Sequence, residues 1–177
     1  MLIAMVQVGG IVRERDRALA GEVLRKKLLA GKHPGADGGP GADRAWRLAF
    51  ARAARDMMQL PVDFTSLSLS RLSLTEVLEL PPDRGLILML EGPAEGLGLL
   101  ILSPEVHASL IEVLTMGRCG AHAPEGRKPT RTDAAMLSPM ADLAMAHLED
   151  ALAEDGDLPW TSGFRYASFI EEARPLG

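Results

Sequence analysis

An α/β fold, with a central and largely antiparallel sheet flanked by helices, follows from three features of this sequence. Two short apolar runs, Leu86–Leu90 and Leu97–Leu102, flank a Gly/Pro turn, which is the pattern of a β-hairpin covered on both faces. Several charged stretches carry apolar residues at helical spacing. A unit of helix, Leu-Pro and strand occurs twice, at Leu60-Pro61 and at Leu158-Pro159, and suggests internal pseudo-symmetry.

Residues 1–30 read as an N-terminal arm. Leu19, Val23, Leu24, Leu28 and Leu29 make an amphipathic helix of Arg13 to Ala30, and the apolar Met1–Gly10 before it lacks the basic flank of a secretory signal. Residues 31–42 are rich in glycine and proline and read as a flexible linker. The domain proper, 43–177, begins with Asp43 as the cap of a helix whose apolar positions are Trp46, Leu48, Phe50, Ala53, Ala54 and Met57. Leu60-Pro61 ends that helix. Residues 62–72 alternate apolar and polar residues in a ragged register, which predicts β-structure. Leu74–Leu80 fits a short helix, and Pro81–Gly85 fits a turn.

After the hairpin, Ser103-Pro104-Glu105 is a helix start: a capping hydroxyl, a proline at the first helical position and an acid in the first turn. Val106, Leu110, Ile111 and Leu114 form its stripe, and the helix stops near Met116-Gly117. A polar loop, 118–128, leads to a long helix that starts near Thr130 or Thr132, with Asp133 in its first turn. Pro139 either kinks this helix or, with Ser138, begins a second one. Met140, Leu143, Ala144, His147, Leu148, Ala151 and Leu152 share its apolar face, and Asp155-Gly156-Asp157 ends it. A last strand spans Trp160 to Ile170.

The chain has 177 residues, enough for one buried core with arms and no disulfide. Its net charge of −5 argues against a general nucleic-acid footprint, and 4% aromatics argue against a stacking site. A single cysteine, Cys119, suits a reducing compartment, and no apolar run reaches the length of a membrane span. Gly38-Gly39-Pro40-Gly41 lacks the Lys-Ser/Thr and the preceding strand of a phosphate loop. Cys119 and His122 are two ligands short of a closed zinc site, and no acid is placed to orient a Cys–His nucleophile. His147 reads as a core or boundary residue, Asp142 as a solvent-edge one, and Glu149-Asp150 as a solvated face. No cofactor is expected.

From Arg44 to about Phe169, four ordered blocks resemble the middle domain of the flagellar motor switch protein family FliM. They are Ala51–Met58 with Leu60-Pro61-Val62; Leu86–Leu90 continuing to Gly96–Pro104; Ile111–Gly117; and Glu125–Asp133. The resemblance implies a three-layer α/β/α sandwich with pseudo-twofold symmetry, shared with the CheC and CheX phosphatases. It implies a non-enzymatic part of the cytoplasmic motor ring, peripheral at the cytoplasmic face of the inner membrane in the basal body. The implied partners are FliG, FliN, phosphorylated CheY, whose binding is relayed to rotation direction, and copies of the chain itself. The family meets FliG through a Gly-Gly-x-Gly loop, which falls here on Met116, Gly117, Arg118, Cys119 and Gly120, with Arg127 in the following block as a further contact. Met1–Gly10 has no clear counterpart of the family's CheY-binding peptide; Arg13–Ala30 is the segment that would substitute for it. The family's C-terminal surface-presentation domain has no match in the chain. The alternative is a CheC-like phosphatase acting on phosphorylated CheY. Its Glu-x-x-Asn pair aligns with Pro139 and Asp142, neither of which is suited to the chemistry, and the sequence contains no asparagine.

Overall fold

A computed structural model describes residues 41–64, 67, 72–120, 127–153 and 162–171. The expected arm and all but the last two residues of the linker lie outside them, as do parts of the expected 62–72 strand and the 118–128 loop. So do the Leu158-Pro159 of the expected second repeat unit, Trp160 and His122.

Helix α1 runs Ala42–Met58. Its N-cap is Gly41 rather than Asp43, which sits in the first turn, where a negative charge meets the positive end of the helix dipole. The buried stripe is Ala45, Trp46, Ala49, Phe50, Ala53 and Ala54, and the expected Leu48 lies off it, 48% exposed. Gln59 ends the helix in the left-handed region at φ 53°, and its N–H donates to the Arg55 carbonyl. The Leu60 N–H reaches back to the Ala54 carbonyl, closing a Schellman-type turn that Pro61 prevents from continuing.

The expected strand after this turn is absent from its described residues, because Val62, Asp63 and Phe64 pair with no strand. Val62 is buried and Phe64 packs edge-on against Phe50, their ring centroids 5.8 Å apart. The Phe64 carbonyl accepts from Arg47 Nη1. This segment therefore satisfies its apolar residues, and one of its backbone groups, on α1 instead of in a ladder. Helix α2, Leu74–Leu78, is held by a reciprocal capping box between Ser73 and Glu76, and buries Val77.

Strands β1 (Leu86–Gly92) and β2 (Gly96–Leu102) form the expected hairpin. They pair antiparallel from Leu86↔Leu102 to Gly92↔Gly96 across a 3-10 turn at Pro93–Glu95. Helix α3, Pro104–Met116, starts as the sequence predicts, with Ser103 Oγ accepting from the Val106 N–H. Helix α4, Arg131–Leu152, is one continuous helix through Pro139. It is closed at its start by a capping box between Thr130 and Asp133. Its buried stripe is centred on Leu137, Met140, Ala141, Ala144, Met145 and Leu148; Leu143, His147 and Ala151 lie on its flanks.

Strand β3 (Arg165–Ile170) pairs antiparallel with β1, giving the order β2-β1-β3. The register steps between Met89↔Ser168 and Leu90↔Tyr166, so Ala167 is the extra residue of a bulge. Leu86, Leu88, Leu90, Leu100 and Leu102 lie on one sheet face and join a single core with residues of α1, α3 and α4. Helix α1 packs along α4, and α4 packs on β3 and β1. Among the described residues the fold is thus a mixture of four α-helices and one three-stranded antiparallel sheet. No described helix is long and apolar enough to cross a membrane.

Candidate protein-interaction site

The Met116–Gly120 loop is fixed by the way α3 ends. Thr115 Oγ1 donates to the Ile111 carbonyl, 2.8 Å away, tightening the last turn. The Gly117 N–H donates to the Val113 carbonyl, also at 2.8 Å, and Gly117 takes φ 72°, ψ 5°. That left-handed conformation is natural to glycine and strained for any L side chain. A Cβ on Gly117 would meet nothing within 4 Å, so a substitution there is opposed by the backbone alone and not by packing.

The turn presents Met116, 64% exposed, beside the exposed Arg118. Cys119 turns inward and packs, half-buried, against the core. Gly120 lies against Glu112, where a Cβ would come within 2.6 Å of Glu112 Oε1. The loop is therefore held at its root by α3 and shows one large apolar side chain and one cation to solvent. That combination can bind a partner surface. The described residues here bring no nucleophile, base and orienting acid together, and they hold no group of three or more metal-ligating side chains.

Arg127 is engaged with the start of α4. Its Nη2 makes an ion pair with Asp133 Oδ1, while Asp133 Oδ2 accepts from the backbone N–H and Oγ1 of Thr130 at 2.7 and 2.8 Å. Burial pushes the Asp133 carboxyl up, but the Arg127 and Thr130 hydrogen bonds and the guanidinium charge outweigh it, so the group stays below its ordinary value. Arg127 also acts electrostatically on His107. His107 precedes Gly117 by ten residues, about 15 Å along a helix axis. Five of the six expected contacts thus sit at the C-terminal end of α3, and the sixth is engaged with the start of α4.

Sequence reasoning missed three side chains that the fold employs. His107 is fully buried, one residue after Val106 and three before Leu110; the i, i+3 spacing to Leu110 was its signal. Asp142 is half-buried at the edge of the apolar face of α4, and its Oδ1 accepts from the Tyr166 N–H at 2.6 Å, tying α4 to β3. Glu149, on the solvent side of α4, also takes partners there. It accepts from Ser162 Oγ at 2.6 Å and from the Gly163 N–H, and these bonds lower its carboxyl pKa. His147, read as a core or boundary residue, is a boundary one, with Nε2 3.1 Å from Asp56 Oδ2 on α1.

No family model matches the chain, and no curated protein matches it.

Proposed function

We propose that this chain is a binding component of a flagellar motor switch, related to the FliM middle domain, and not an enzyme. In this reading the Met116–Gly120 turn meets FliG, and the domain stands beside copies of itself and FliN in the cytoplasmic ring at the inner membrane. The arrival of phosphorylated CheY is then relayed to the direction of rotation. The complete fold would be a three-layer α/β/α sandwich with pseudo-twofold symmetry. The observation that carries the proposal is the exposed left-handed turn at Gly117, with Met116 beside it, at the position the resemblance assigns to partner contact. The hairpin running into the Ser103-Pro104 helix start supports it as well, since one of the resembling blocks is that unit.

The phosphatase alternative has less support. Catalysis on an aspartyl phosphate needs a side chain free to orient a water. Asp142 spends one carboxylate oxygen on the Tyr166 N–H, and Pro139 is built into the middle of α4. Two measurements test the proposal. Gly117→Val is expected to weaken capture of purified FliG at least tenfold while leaving the circular-dichroism spectrum of the domain unchanged; equal capture by both proteins would overturn the assigned contact. Addition of the domain is expected to leave the decay of phosphorylated CheY at its intrinsic rate. Acceleration in proportion to domain concentration would establish the enzyme instead.

A further inference from the structure

We propose that the outer face of α1 is a docking surface for an acidic amphipathic helix of a partner protein. The inference does not rest on the reading above and concerns a different element. On the side of α1 away from its buried stripe, Arg44, Leu48, Arg52 and Arg55 are all exposed. At 100° and 1.5 Å per residue, these four fall within about 80° of the helix surface and span about 16 Å of its axis. Leu48, 48% exposed, stands one turn after Arg44 and one turn before Arg52.

Among the described residues, none of Arg44, Arg52 and Arg55 is in an ion pair. Arg47, on the flank of this face, gives Nη1 to the Phe64 carbonyl. The two acids of α1 stand near its ends, and Asp56 is held by His147 Nε2 at 3.1 Å. The result is a cationic stripe on a chain whose net charge is −5. Arg52 and Arg55, three residues apart, repel each other, and carboxylates set against them relieve that repulsion. Every cation of α1 is an arginine, whose planar fork can take a carboxylate through two parallel hydrogen bonds.

Charge and spacing select the occupant. Arg44, Leu48 and Arg52 at i, i+4 and i+8 are matched by a helix that carries an acid, a large apolar residue and an acid at the same intervals. A second copy fits less well. Two α1 faces would set arginine against arginine, and Asp133, Asp142 and Glu149 of α4 are already engaged within the fold. An anionic membrane calls for a broad apolar face that enters the lipid boundary, and this face offers one leucine. Single-stranded nucleic acid calls for aromatic platforms, and Trp46 and Phe50 are buried on the opposite side.

The test uses the full chain and a fluorescent, end-capped helical peptide with Glu, Leu and Glu at i, i+4 and i+8, followed by anisotropy at low salt. The expected result is saturable binding that weakens as salt is added. Binding to the double variant Arg44→Glu, Arg52→Glu is expected to be weaker by about tenfold or more. Leu48→Ala is expected to weaken it as well, which bulk charge attraction alone does not produce. Both arginines are exposed, and an acid at position 44 lies in the first turn, where the helix dipole favours it, so an unchanged circular-dichroism spectrum is expected. Arg52→Gln serves as the milder variant should the double one lose its fold. No binding, equal binding by these variants, or equal binding of a peptide with Gln for both Glu would each overturn the proposal. So would tighter arginine-dependent binding to vesicles of phosphatidylglycerol and phosphatidylcholine or to a single-stranded oligonucleotide, or self-association of the chain that the double variant abolishes.

Discussion

Asp133 shows how much one side chain can organise. It caps α4 through Thr130, binds Arg127 and lies within the electrostatic reach of His107, all from a position 2% exposed. Asp133→Asn keeps the shape but places an amide where the carboxylate accepted three donors. It is expected to cost about 1–3 kcal/mol in urea unfolding at pH 7. The pH dependence has a definite sign. Because the folded pKa lies below the ordinary 3.8, the carboxylate's contribution is present in full above that value and is lost as pH falls through the folded one. The wild-type chain should lose more stability than Asp133→Asn over that acid range, and equal losses would show that the carboxylate's charge is not what the fold uses.

At the scale of elements, local chemistry was legible and tertiary substitution was not. Ser103-Pro104, the Thr130 cap with Asp133, the hairpin turn and the Gly117 stop are each specified by neighbours within a few residues, and each is where the sequence indicates. The expected strand at 62–72 was read from alternation alone. Val62 and Phe64 do bury themselves, but against Leu60 and α1 neighbours such as Phe50, which alternation cannot distinguish from a ladder. The partners of Asp142 and Glu149 were not foreseen for a related reason. Their donors lie on Tyr166 and Ser162, across a chain reversal that no helical pattern reports. The site was partly legible too: the turn at Met116–Gly120 coincides with a helix end that the sequence marks, while Arg127 was read as a partner contact although Asp133, six residues on, takes its guanidinium. Asp142→Ala tests the cross-element tie. It is expected to cost about 1–3 kcal/mol and to speed amide exchange at Tyr166 more than at Phe169. Uniform acceleration along β3 would mean that the bond does not specifically anchor the bulge.

For the whole molecule, the sheet order decides which parts depend on which. The central strand β1 finds β2 next to it in sequence but takes its other neighbour from the far end of the described chain. Helix α4 is sandwiched in the same way, against α1 from the start and β3 from the end. Removing residues 162–177 should therefore not trim an appendage but expose one flank of β1 and part of α4 together. The expected outcome is loss of a single cooperative melting transition, monitored by circular dichroism. A truncated chain that melts as sharply as the intact one would show that β3 is dispensable.

The pairing of β1 with β3 also sets an order of events during synthesis. Leu88 must wait for Phe169, eighty-one positions later, before its second ladder exists. Until the ribosome has released β3, the hairpin carries a bare apolar edge, able to pair with any other extended segment nearby. Contacts of such long sequence separation form slowly, because the intervening chain must first be brought to order. The vulnerable interval is thus the one between synthesis of the hairpin and synthesis of β3, and the yield in cells should respond to chaperone supply more than equilibrium stability alone would indicate.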